Sequence, residues 1–221
     1  MIDRRAMVAL SSGHLATDFA SGAVPALVPF LVERYDLTYT QAAVLMLAAL
    51  VSSSVVQPLF GLLSDRRGAM WLLPGGVALG GVGVALAAAA PSYPLAVALI
   101  FAGGVGIAAF HPDGSKFANY VSGPRRASGM ALFNIGGNSG YALGPIVATP
   151  LVVWLGLKGG LLLAVPTLAA AALLARALPY LRSFVPERPR ERVGAGEDRR
   201  GALVLLLAVI ALRSVAWFGL L

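Results

Sequence analysis

His14 and His111 are the two histidines of this chain, and each lies in a long apolar stretch with a carboxylate close by. The first stands in Gly13-His14-Leu15-Ala16-Thr17-Asp18, the second in Phe110-His111-Pro112-Asp113-Gly114-Ser115-Lys116. An ionisable group at the centre of a membrane helix costs roughly 2.5–3.5 kcal/mol on insertion scales, so such groups face a partner or a water-filled cavity. A histidine beside a carboxylate also changes charge near physiological pH and can pass a proton. His14 and Asp18 are four residues apart, on one helix face, and Ser11 extends that face. Proton relay or substrate binding is one reading of the pair. A mutually satisfied polar pair that fixes helix packing is the other. Asp113 and Lys116, three residues apart, are open to a similar structural reading, as a self-neutralising pair.

The composition says what kind of element must carry these groups. Of 221 residues, 58% are hydrophobic and 12% charged, and the mean hydropathy is +0.80. Soluble domains average about 45–50% apolar and about 25% charged, so the chain is expected to be an all-α polytopic membrane protein. Segments long enough to span a bilayer fall at 6–32, 40–63, 71–90, 94–121, 127–153, 161–181 and 203–221. At 1.5 Å per residue, His14 lies about 12 Å from the cytoplasmic end of the first span and His111 about 15 Å from that end of the fourth. The two sites are therefore at similar depth.

The net charge of +7 is explained by topology. Arg4, Arg5, Arg66, Arg67, Arg125, Arg126, Arg182, Arg188, Arg190, Arg192, Arg199 and Arg200 stand at one set of span ends, against Arg34 and Lys158 at the other. This bias puts the N-terminus in the cytoplasm and leaves no role for nucleic acid. With no cysteine, disulfides and thiolate metal sites are excluded. No metal-ligand motif, cofactor motif or nucleophile triad is present, so no metal or cofactor is expected. A membrane enzyme using His111 and Asp113 is the weaker alternative. The stretch 182–202 is rich in charge, Pro and Gly and is expected to be a cytoplasmic linker. It divides a six-helix bundle, 1–181, from the start of a second bundle, 203–221. Six spans, a linker and a seventh read as the first half of a two-bundle protein, with the second bundle as a partner. If the chain is instead the natural product, it is a non-transporting half-length remnant.

Other residues carry structural signals. Gly61, Asp65, Arg66 and Gly68 form the cytoplasmic loop motif that closes the second span, where Asp65 is expected to cap the next helix. In the fifth span Gly136, Gly140 and Gly144-Pro145 recur every four residues and form a small-residue packing face. Asn134, Asn138 and Tyr141 make a second stripe about half a turn away, where they can hydrogen-bond a neighbouring helix or a solute. Arg213, in the middle of the seventh apolar stretch, is expected to face a cavity, a carboxylate or an anionic substrate.

The Gly61–Gly68 loop matches the loop signature of the major facilitator superfamily, with Ala69 and Met70 where further basic residues are usual. The run Phe110–Lys116, the Ser122-Gly-Pro-Arg-Arg126 loop and Phe133–Pro145, with Ser12–Asp18 and Gln57-Pro58, resemble the fosmidomycin-resistance group of that superfamily over essentially the whole chain. The run ending at Gly144-Pro145 resembles the fifth-helix motif of its proton-coupled exporters, with Thr149 and Pro150 in place of expected glycines. The resemblance implies two six-helix bundles, with helices one and four lining one wall of a central cavity and helix seven another. It would place His14, Asp18, His111 and Arg213 around that cavity. It implies proton-coupled, alternating-access efflux of a small drug-like or organic-anion solute across the cell inner membrane, giving antibiotic resistance. Uptake of a small organic anion is the alternative direction.

Overall fold

A computed structural model describes residues 1–185 and 200–219, all of the regular structure among them helical. The chain divides into two units, 1–185 and 186–221. In the first unit, α1 runs Arg4–Tyr35. The second span is α2 (Tyr39–Leu50), a π-helical turn (Val51–Val55) and α3 (Gln57–Arg67). It is followed by α4 (Leu72–Ala88), α5 (Tyr93–Val121) and α6 (Arg126–Leu155). A 3₁₀ stretch (Leu157–Leu163) then leads into α7 (Ala164–Arg182). In the second unit, α8 covers Arg200–Gly219. Within the expected linker, residues 186–199 lie outside the described residues. Arg4–Tyr35, Tyr39–Arg66, Tyr93–Val121 and Leu157–Arg182 are each long and apolar enough to cross a membrane, and Leu72–Ala88 is apolar but shorter.

Water provides no drive for apolar helices to associate within lipid, so close backbone packing has to hold the bundle. Glycine supplies it here. The most extensive contact is α1 on α6, followed by α4 on α5. A Cβ added at Gly136 would lie 2.6 Å from the Ser11 carbonyl oxygen, and one at Gly144 would lie 2.6 Å from the Gly22 carbonyl carbon. At Gly140 the added carbon would collide with the Leu15 carbonyl, and at Gly22 with that of Tyr141. Gly136, Gly140 and Gly144 of α6 therefore lie directly against the backbone of α1. Gly76 and Gly106 make the same kind of seam between α4 and α5.

The termini of these helices are tied locally. Asp3 caps α1 by accepting a hydrogen bond from the Ala6 amide at 2.8 Å. Its amide donates to the Val121 carbonyl at the end of α5, 2.9 Å away. Its second carboxylate oxygen accepts from the Tyr180 hydroxyl of α7 at 2.7 Å. The Ala6 amide first, and the Tyr180 hydroxyl next, hold the Asp3 carboxyl below its ordinary value of 3.8. At the other end of the second span, Gly68 adopts φ +57°, and its amide closes α3 on the Ser64 carbonyl at 2.8 Å. That left-handed position suits glycine.

Two outcomes follow for the purified chain. Gly140→Val should lower the thermal midpoint through an overpacking cost of about 1–3 kcal/mol, because rigid backbone stands where the new side chain must go. Asp3→Ala should cost about 1 kcal/mol as a lost cap. Because the folded Asp3 value is depressed, that contribution is complete above 3.8 and is lost as pH falls through the lower folded value. Midpoints of wild type and variant, compared along a pH series, should converge on acidification.

Candidate functional site

α1 carries His14 and Asp18 on one face, and α5 brings His111 across to them. The two Asp18 oxygens are divided between the two imidazoles. Oδ2 lies 3.2 Å from His14 Nε2, and Oδ1 lies 3.1 Å from His111 Nε2. The other ring nitrogen of each histidine meets a backbone carbonyl, His14 Nδ1 with Phe133 of α6 at 2.8 Å and His111 Nδ1 with Ile107 at 2.8 Å. A carbonyl oxygen only accepts, so Nδ1–H is the donor in both cases. Both Nε2 atoms are left facing the same carboxylate. The rings sit 5.3 Å apart, edge to face, and Phe133 stacks on His14 at 4.0 Å.

Burial is graded across the cluster. His14 is 7% exposed, whereas the side chains of His111 and Asp18 keep 25% and 20% of their surface. One side is therefore sealed by Phe110 and Phe133, and the other is open. Gly137 of α6 completes the sealed side. A Cβ there would stand 2.5 Å from His14 Nε2 and 2.6 Å from Asp18 Oδ2, so the cluster occupies the space a side chain would need. Gly137 and the Phe133 carbonyl are not singled out by sequence, although Gly137 adjoins the glycine stripe.

Asp113 does not join this cluster. Two residues beyond His111 on a helix, it points to another side of α5, where it is buried and accepts a hydrogen bond from Ser64 of α3. Its other oxygen has no partner among the described residues. Lys116 pairs with Asp65 at 2.7 Å rather than with Asp113, and touches Ser64 Oγ at 3.5 Å. Asp65 thus ties α3 to α5 and does not cap α4, whose N-cap residue, Trp71, makes no side-chain cap bond. Gly61 lies against Pro112, 3.7 Å from an added Cβ to the ring, and Arg66 is exposed. On α6, Asn134 and Asn138 are exposed, as is Tyr141. Pro145 follows Gly144 within the same helix. Arg213 lies on α8, in the second unit.

Membrane-length helices joined by glycine seams, with ionisable groups gathered inside the bundle, define a multi-pass α-helical membrane protein. The sequence profile of the Major Facilitator Superfamily matches residues 10–221, and the chain belongs to that superfamily. It is 33% identical over 175 residues to the uncharacterized MFS-type transporter YfnC of Bacillus subtilis, a match covering 79% of this chain and 42% of YfnC. It is 34% identical over 147 residues to the Fosmidomycin resistance protein of Escherichia coli, covering 65% of this chain and 36% of that protein. The matched stretches thus span well under half the length of these relatives. Its fold matches the crystal structure of tetrameric PepTSo2 with a TM-score of 0.66 at 17% identity, over 98% of this chain and 48% of that one.

Because one carboxylate serves both imidazoles, the three side chains should behave as a unit. Stability cycles combining Asp18→Asn with His14→Ala or His111→Ala should be non-additive by about 0.5–3 kcal/mol. Additive losses would mean that the imidazoles do not share Asp18.

Proposed function

We propose that the chain forms one half of a secondary active transporter that works by alternating access in the cell inner membrane. In this reading residues 1–181 are the N-terminal six-helix bundle, with a cytoplasmic N-terminus. Residues 182–202 are the cytoplasmic linker, and residues 203–221 begin the C-terminal bundle. The transported solute is a small drug-like molecule or organic anion, moved outward against proton entry. The observation that carries the reading is the Asp18 carboxylate shared between His14 and His111, inside a bundle of membrane-length helices.

The physical logic follows from that contact. An ionised Asp18 attracts the Nε2–H groups of imidazoles that carry a proton on both ring nitrogens, and so ties α1 to α5. A proton on the carboxylate weakens that tie and leaves an imidazole free for an anionic group of the solute. Transport needs such a dependence, because a ligand shifts a conformational equilibrium only through its differential affinity for the two states. Asn134 and Asn138 offer further hydrogen bonds from α6, and Arg213 is assigned to the anionic end of the solute. The Asp65–Lys116 pair links the end of α3 to α5 and so to the helix that carries His111. The name of the Escherichia coli relative supports drug export as the outcome.

Proteoliposomes holding the complete two-bundle transporter test this directly. Solute flux should follow an imposed pH gradient, and Asp18→Asn should abolish the gradient-driven component while leaving solute exchange. Flux indifferent to the gradient would remove proton coupling from the account. A second reading, uptake of a small organic anion, is favoured by two histidines and an arginine as anion partners. Counterflow with carboxylate and phosphonate solutes separates the two directions.

A further inference from the structure

We propose that His14, Asp18 and His111 also form a binding site for a divalent transition-metal ion of the zinc, cobalt or nickel class. Two imidazole nitrogens and a carboxylate oxygen from these residues all lie within 4.8 Å of one another. Each imidazole stands at tetrahedral ligand spacing from its own Asp18 oxygen, His14 Nε2 at 3.2 Å from Oδ2 and His111 Nε2 at 3.1 Å from Oδ1. With bonds of about 2.0–2.1 Å, neighbouring tetrahedral ligands stand about 3.3 Å apart. Side-chain rotation that draws donors now within 4.8 Å of one another to that spacing would bring all three onto one centre. Imidazole nitrogen and carboxylate oxygen are the donor set these ions take when thiolates are absent.

The surrounding hydrogen bonds are those of a built site. A metal-bound imidazole presents one nitrogen to the ion and donates the other N–H to a carbonyl or carboxylate, which fixes the tautomer and aims the ring. Both histidines have this arrangement, with Nδ1 on Phe133 O and on Ile107 O at 2.8 Å. In the neutral imidazoles that a metal requires, both Nε2 lone pairs are turned toward the carboxylate, and a cation between them takes the place of the Nε2 protons that otherwise hold the rings to Asp18. His14 is buried against Phe110 and Phe133, and Gly137 leaves the carboxylate unobstructed. The open side at His111 and Asp18 leaves a coordination position for water or a solute. No metal motif is visible in the sequence because the ligands come from helices far apart in the chain.

This inference uses the same three residues as the transport reading but does not depend on it. The test is Co²⁺ titration of the full 221-residue chain in lipid nanodiscs, followed by displacement with Zn²⁺. The expected result is one Co²⁺ per chain with visible bands of a low-coordinate ion, and X-ray absorption of the Zn²⁺ form showing two imidazole ligands. His111→Ala and the near-isosteric Asp18→Asn should each weaken binding at least tenfold, with helical circular dichroism confirming that both variants are folded. Wild-type chain that takes up no saturable Co²⁺, or uptake unchanged in both variants, overturns the site. Failure here leaves gradient-driven flux as it was, and loss of gradient dependence leaves metal binding as it was.

Discussion

Everything in the first unit turns on one constraint: a carboxylate held between membrane-length helices must be given partners. Asp18 receives two, one from its own helix and one from α5. Each partner is in turn held by a backbone carbonyl. Three elements are committed by this arrangement, since the Phe133 carbonyl belongs to α6. Separating α1 from either neighbour would expose a charged or polar group to hydrocarbon, where the cost is several kcal/mol. The cluster therefore contributes to packing specificity.

The glycine seam makes this geometry reachable. Side chains at Gly136, Gly140 or Gly144 would push α6 off α1, and the Phe133 carbonyl would then lie beyond the reach of His14. Gly137 plays a different part, since it faces the cluster itself. Four glycines in one helix thus serve two purposes, three for helix approach and one to leave room for ionisable groups. The Asp3 staple, which ties α1 to the ends of α5 and α7, fixes the two helices that carry the cluster, α1 and α5, at one end. The open face of the cluster lies at His111 and Asp18, whose side chains keep 25% and 20% of their surface.

Much of this was legible from residue spacing. The spans read at 6–32 and 94–121 correspond to the membrane-length helices Arg4–Tyr35 and Tyr93–Val121, and the stretch 127–153 falls in helix Arg126–Leu155. Apolar length is a strong signal and helix ends are weak ones. The second span hid a π-helical turn at Val51–Val55. There Ser52 returns a hydrogen bond to the Ala48 carbonyl at 2.6 Å, a local competition that hydropathy does not register. At the site, the His14–Asp18 pairing follows from four-residue spacing, and depth counting put His111 level with it. The division of labour within Phe110–Lys116 was not legible. His111 and Asp113 stand on different sides of α5, and Ser64, an unremarked residue of α3, decides where Asp113 goes. Backbone acceptors such as Phe133 O carry no sequence signature, so the tautomers of both histidines emerge only from the fold.

With only two histidines in the chain, nitrogen NMR of histidine-labelled protein in nanodiscs reads the central contact without ambiguity. A single carboxylate bridging two rings predicts Nδ1-protonated imidazoles at both positions, and a simultaneous shift of both Nε2 signals in Asp18→Asn. A shift confined to one ring, or an Nδ1 nitrogen without its proton, would contradict the shared-carboxylate account.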